Sequence, residues 1–316
     1  MPSDCSAAAP SLAAVPVATG GFGPRDLALF AVVVVAWSTA WYALKLQLGV
    51  VPPMQSLAWR FGLSALAMGA MAWFQGESLV FSAREHLRLF ATGALFYAGC
   101  FGLFYYGSAD LPSGLVSVIF SLASLGNLVL AWALWGEPIS RRVLLGGLLG
   151  AVGVAALFAP VIGPALSGAG GLGAGAMIAV GIDLVATASF CVGNLVSQKM
   201  MEESPRVAAL NTWAMGYGTL CFVAVALLEG KPWTFDFSPV FLGSFAWLTG
   251  VATVLAYWAY TRLSGSVGAA RAGYAAVTSP LIALVISTVL EGYAWTPIAL
   301  VGLVLVSVGN VVVLRR

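Results

Sequence analysis

The chain has 316 residues, 60% of them hydrophobic and 8% charged, with mean hydropathy +0.96 and a formal net charge of +2. A soluble domain carries about 25% charged residues, so this composition cannot cover a water-facing surface. The small net charge gives no basis for a nucleic-acid partner. The single histidine, His86, excludes multi-histidine metal chemistry, and the residues call for no cofactor.

Residues 1–24 read as a disordered cytoplasmic tail. They lack a basic start, since the first basic residue is Arg25, and Pro10 and Pro16 interrupt any apolar core of a signal peptide. Apolar runs then fall at 26–46, 53–75, 87–108, 112–135, 142–160, 177–200, 206–228, 238–262, 267–290 and 295–314. Each approaches the ~20 residues that cross the hydrocarbon of a bilayer. The expected fold is an all-α polytopic membrane protein of ten transmembrane helices, with no room for a soluble domain. His86, in the charged run REHLR, reads as a solvated loop residue. Cys5, Cys100, Cys191 and Cys221 share no spacing and read as separate small side chains.

Basic residues orient the runs. With the N-terminus inside, the cytoplasmic side receives Arg25, Arg84, Arg88, Arg141, Arg142, Lys199, Arg206, Arg262, Arg271, Arg315 and Arg316, eleven of the 14 Lys and Arg. The other side receives Lys45 and Lys231, and Arg60 falls inside the second run, deep enough to snorkel only through its long stem. Both termini are therefore expected in the cytoplasm.

The chain also matches itself. Adding 154 brings Tyr106 onto Tyr260, Gly114 onto Gly268, Phe120 onto Tyr274 and Glu137 onto Glu291, and Lys45 onto Lys199 far outside that segment. A duplicated unit of five spans must insert its second copy upside down. The expected organisation is a first five-helix repeat at 25–160, a linker at 161–174 and a second, inverted repeat at 175–316. Inverted repeats are a recurring build of secondary transporters, with the site near the midplane between halves.

Polar side chains in lipid normally face the bundle interior or a water-filled cavity. On the fourth run, Ser117, Ser121 and Ser124 continue a stripe from Ser113, with Asn127 three further on; the same spacing also suits helix–helix packing. On the ninth, Arg271, Tyr274 and Thr278 share a face, with Pro280 expected to bend the helix and Arg271 placed to meet a substrate carboxylate. On the sixth, Asp183, Thr187, Phe190, Asn194 and Ser197 form another, and the embedded Asp183 is the coupling candidate. Tyr97 and Phe101 on the third run are candidate substrate contacts; Trp37 and Trp41 form a row with Lys45 on the first. Glu137 and Glu291 read as structural residues at helix ends.

The stretches AWSTAWYALK, PPMQSLAWRFGLSAL, WGEPIS and LEGYAWT resemble the EamA-type branch of the drug/metabolite transporter superfamily across 26–314. The resemblance is to bacterial exporters of amino acids, including aromatic ones. It implies a multi-pass protein of the bacterial inner membrane that exports a small-molecule substrate; the two inverted halves suit alternating access, and a monomer in the lipid bilayer is one open expectation. One departure is Gly126, where the branch usually has a proline. Few inward charges, many hydroxyls and many aromatics also suit a neutral or aromatic amino acid. The alternatives are an intramembrane enzyme, for which one embedded acid supplies too little chemistry, and a transporter of another small metabolite or drug.

Overall fold

Proline, serine and glycine set the ends of the helices. The computed structural model describes residues 23–136, 141–166 and 173–314. Helix α1, Pro24–Lys45, starts on a proline, with Asp26 accepting from the Gly23 amide at 3.0 Å and Lys45 in its last turn. Both charges complement the helix dipole. Helix α2, Pro53–Phe74, also begins on proline. Helix α3, Ala83–Thr92, carries a capping box, in which the Ser82 hydroxyl accepts from the Glu85 amide (3.3 Å) and Glu85 accepts from the Ser82 amide (2.6 Å).

A π-helical segment, π1 (Gly93–Gly99), joins α3 to α4 (Cys100–Gly107). There follow α5 (Ser113–Ser121), α6 (Ala123–Trp135), α7 (Arg141–Leu166), α8 (Gly173–Glu203) and α9 (Val207–Leu228). The segment α10 (Pro239–Ala246), π2 (Trp247–Leu255) and α11 (Ala256–Val267) repeats the α–π–α pattern, and α12 (Ala269–Ala272), α13 (Tyr274–Glu291) and α14 (Pro297–Leu314) close the order. No strand occurs among the described residues. Among the described residues eight helices are long and apolar enough to cross a membrane, and the apolar stretches Leu144–Ala159 and Pro297–Val312 are shorter. The protein is a multi-pass membrane protein.

Its outer surface is apolar, as a lipid-facing surface must be. On α7, Leu144, Leu145, Leu148 and Val152 all point outward. Inside, α7 pairs with α14, α2 with α9, and α5 with α13. The α7–α14 pair is close enough that a Cβ on Gly302 would lie 2.6 Å from the Gly153 carbonyl oxygen. Helix α1 packs on α13 and on π2–α11, while α8 packs on α5–α6 and on π1–α4. Most of these contacts map onto one another when 154 is added: α2–α9 and α7–α14 map onto themselves, α1–α13 onto α8–α6, and α1–π2–α11 onto α8–π1–α4, and π1 and π2 themselves begin 154 apart, at 93 and 247.

Two expectations change. The ninth run is not one helix: Gly268, at φ +88, closes α11, and the chain makes only the short α12 before restarting at Tyr274. Arg271 therefore sits on a separate turn, not inside a long apolar helix. Pro280 lies within α13 without ending it, and Thr278 and Ser279 hydroxyls bond the Tyr274 and Ala275 carbonyls beside it. His86 is not a loop residue. It lies on α3, 4.7 Å from the Trp213 ring and 3.0 Å from the Tyr217 hydroxyl, because that face of α3 packs on α9. The tail at 1–22, Cys5, Glu137, the linker positions 167–172, Arg315 and Arg316 lie outside the described residues.

Candidate functional site

One face of α1 organises the centre of the molecule. Trp37, Trp41 and Lys45 lie four apart, so they share a face. Trp37 meets Tyr260 of α11 at 5.2 Å between ring centroids. Trp41 meets Phe104 of α4 at 5.2 Å and Phe120 of α5 at 5.5 Å. From Phe120 the contacts continue to Phe190 of α8 (4.7 Å), Phe96 of π1 (4.6 Å from Phe190) and Tyr97 (4.7 Å from Phe96). Tyr97 then stacks on Phe101 at 6.4 Å. Aromatic rings from α1, α4, α5, α8 and π1 thus form a continuous chain. Trp41, Phe101, Phe120 and Phe190 are only half-buried, whereas Phe104 and Tyr97 are buried.

Beside this chain lies Arg60. It does not snorkel: the residue is 4% exposed, with its guanidinium 4.9 Å from the Phe61 ring and 5.2 Å from the Phe101 ring. Its Nη2 donates to Thr253 Oγ1 of π2 at 3.3 Å. Nearby, the Gln47 amide oxygen accepts from Ser56 and Tyr105, both at 2.8 Å. Sequence spacing marked Arg60 as deep but could not tell which way it turns. Phe61 and Thr253 went unnoticed because each looks like an ordinary apolar-helix residue.

At the far end of the same α1 face, Lys45 Nζ is 3.2 Å from Glu291 Oε1. Glu291 also accepts from the Ser113 amide (2.9 Å), the Ser113 hydroxyl and the Ser287 hydroxyl. One carboxylate therefore caps the start of α5 and ties α1, α5 and α13 together. The same end of the bundle holds Lys231 with Glu229 and the Gln55 side chain on the Lys231 and Pro232 carbonyls.

The other candidates separate into buried and open groups. Ser117 and Ser121 are buried and donate to their own helix, to the Gly114 (2.6 Å) and Val118 (2.7 Å) carbonyls. These two hydroxyls face packing rather than an open path here, because a bond to the i−3 carbonyl leaves no free proton. Ser124 reaches Asn310 Oδ1 on α14 at 2.9 Å. Asn127 is half-buried, and its Oδ1 has no hydrogen-bond partner. Gly126 brings α6 so close to α8 that a Cβ there would lie 2.7 Å from Cys191 Sγ. Tyr97 donates to Asn211 Oδ1 at 2.6 Å, which ties π1 to α9. Phe101, Asn194, Arg271, Tyr274 and Thr278 are all half-buried. Asp183 is fully buried with neither carboxylate oxygen hydrogen-bonded, and it rests on the backbone of Gly107.

Aromatic rings, one buried cation and one buried acid are thus gathered between the helices. The chain is 28% identical to a "Probable amino-acid metabolite efflux pump" of Salmonella typhimurium, covering 90% of this chain and 93% of that protein. A protein of the same description from Escherichia coli is 26% identical over 90% of this chain and 93% of its own length. A solved crystal structure superimposes with a TM-score of 0.62 at 16% identity, covering 91% of this chain and 95% of that one, which indicates a shared fold. The model of the EamA-like transporter family matches twice, at residues 26–159 and 177–315. Together these two matches span most of the sequence, and the chain belongs to the EamA-like transporter family.

Proposed function

We propose that the protein is a secondary transporter that exports small metabolites, above all neutral amino acids with aromatic or large apolar side chains. The half-buried ring set of Trp41, Phe101, Phe120 and Phe190 carries this reading. It gathers aromatic faces from helices of both halves at the centre of a membrane bundle, where a pocket must be apolar yet retain polar contacts. The description of relatives as probable amino-acid metabolite efflux pumps supports the substrate class and the direction.

Transport proceeds by alternating access between two inverted five-helix halves, at 25–160 and 175–316. The double family match, the paired π segments and the contacts that map onto each other at an offset of 154 support that organisation. Ten crossings then put both termini on the cytoplasmic side of the bacterial inner membrane, as the distribution of basic residues favours. Lys45 and Glu291 close the outer end in this conformation. Asn194, Arg271, Tyr274 and Thr278 contribute to the inner part of the path. Asp183, a buried acid in a membrane helix, is the group for coupling to an ion gradient.

Counterflow in liposomes containing the purified protein, run with a panel of radiolabelled amino acids, tests the reading. Exchange of phenylalanine, tryptophan or leucine is expected. Movement of a nucleotide-sugar or a quaternary cation with no amino-acid exchange would overturn it.

A further inference from the structure

Arg60 is a permanent cation held inside a membrane helix, and among the described residues no acid pairs with it. An unpaired buried charge is costly enough that such groups in membrane segments normally mark a ligand or a path. Its polar contacts are neutral, and the Tyr105 hydroxyl is one of them. Thr253 Oγ1 takes one Nη2 bond and passes its own proton to the Leu248 carbonyl at 2.8 Å, while Arg60 Nε has no partner at all. Phe61 and Phe101 supply ring faces, which stabilise a cation without neutralising it.

The surroundings add a second idle donor. Gln47 Oε1 accepts from both Ser56 and Tyr105, which leaves Gln47 Nε2 unpartnered. Ser56 lies one turn from Arg60 on α2, so these groups share one face of that helix. Donors outnumber acceptors in this buried polar set, and a missing acceptor that carries negative charge would satisfy both needs. A planar guanidinium with an open Nε edge suits a carboxylate, which it can grip with two parallel hydrogen bonds. The setting also fixes the orientation of the guest. The half-buried Phe101 ring lies both against Arg60 and in the aromatic chain, so a molecule with a carboxylate at Arg60 would lay its apolar part along those rings.

We propose that Arg60, helped by Gln47, is the carboxylate-binding group of the transported substrate. The inference deepens the transporter reading and rests on it for the source of the carboxylate. The fit does not depend on an amine, so aryl carboxylates are expected to bind as well. At position 214, the offset counterpart of Arg60, stands the buried Ala214, so only the first half carries this charge.

The test uses full-length protein in detergent or nanodiscs, with thermal unfolding followed in the presence of phenylacetate, phenylacetamide, L-phenylalanine and L-phenylalaninamide. Each carboxylate should protect at a concentration about tenfold or more below that of its amide, as expected for a charge-assisted bond. Arg60→Gln should erase that preference, while Arg60→Lys should keep part of it. Equal protection of the parent by acid and amide, or no protection by either acid, overturns the site; so does an Arg60→Gln protein that keeps the preference. Should Arg60→Gln not fold, the acid-against-amide comparison on the parent still decides. Counterflow separates this inference from the broader reading. Phenylacetate protection lost in Arg60→Gln, without any amino-acid exchange, upholds the anion site and removes the amino-acid reading. Amino-acid exchange with no acid preference does the reverse.

Discussion

Glu291 on α13 lies 3.2 Å from Lys45 on α1, and the same carboxylate accepts from the backbone amide and the hydroxyl of Ser113 on α5. Three helices converge on one side chain that is 12% exposed, whereas Lys45 is 24% exposed. The two partners should therefore differ in energetic weight.

Glu291→Gln removes the ion pair and weakens the helix cap and the Ser287 bond together, at a cost of about 2–3 kcal/mol. Lys45→Met removes only a partly solvated ion pair, worth about 1 kcal/mol or less. Thermal unfolding of the purified variants should rank parent, Lys45→Met and Glu291→Gln in falling order. Equal losses would mean that the lysine, not the cap, dominates this end of the bundle.

Two phenylalanines one ring apart should behave in opposite ways. Phe61 is 1% exposed and packs on Phe222, Tyr97 and Phe101, so Phe61→Ala should cost about 3–5 kcal/mol of stability. Phe101 is half-buried, so Phe101→Ala should leave unfolding closer to the parent while reducing aromatic amino-acid exchange about tenfold. A Phe101→Ala variant that loses stability like Phe61→Ala but transports normally would make that ring core, not lining.

Gly107 has no room for a methyl group. A Cβ there would lie 2.0 Å from Asp183 Oδ1 and 3.1 Å from the Ala179 carbonyl oxygen. Gly107→Ala should sharply lower the yield of folded protein, and adding Asp183→Ala should restore part of it. Fluorescence-detected size exclusion would reveal both effects. The acid can be probed separately: Asp183→Asn keeps the shape, and if Asp183 couples transport to protons, that variant should lose the pH dependence of uptake. Transport identical to the parent at every pH would remove Asp183 from coupling.

Orientation is open to a direct check. Reporter fusions after Arg142 and after Arg206 should signal the cytoplasm, and one after Lys231 the exterior. An external signal at either of the first two would contradict the inverted halves.

The helical frame was largely legible in the sequence because hydrocarbon thickness and helix rise fix the length of an apolar run. The run at 26–46 became Pro24–Lys45 and that at 53–75 became Pro53–Phe74, with prolines marking both starts. The offset of 154, read from scattered identities, recurs in the starts of the two π segments. Tertiary detail was less accessible. Spacing put Ser117, Ser121 and Ser124 on one stripe, but it could not tell whether a hydroxyl turns to its own helix or outward. Whether Arg60 reaches the surface or stays inside depends on which face of α2 meets π2, and no local pattern encodes that. His86 looked solvated because its sequence neighbours are charged, yet Trp213 and Tyr217, more than 120 residues away, supply its environment.

The π segments carry a practical consequence for anyone mapping this protein residue by residue. Each widens the turn and slips in an extra residue, so the side chains beyond it are rotated relative to those before it. A cysteine-labelling scan along Ala83–Gly107 should show its periodic pattern of reactive positions going out of phase after Gly99, and a scan along Pro239–Val267 should do so after Leu255. Read with a single helical wheel, either scan would assign water-facing positions to lipid in its second half. The two breaks in phase would also give a label-based measure of whether both halves keep their π turns as the transporter cycles.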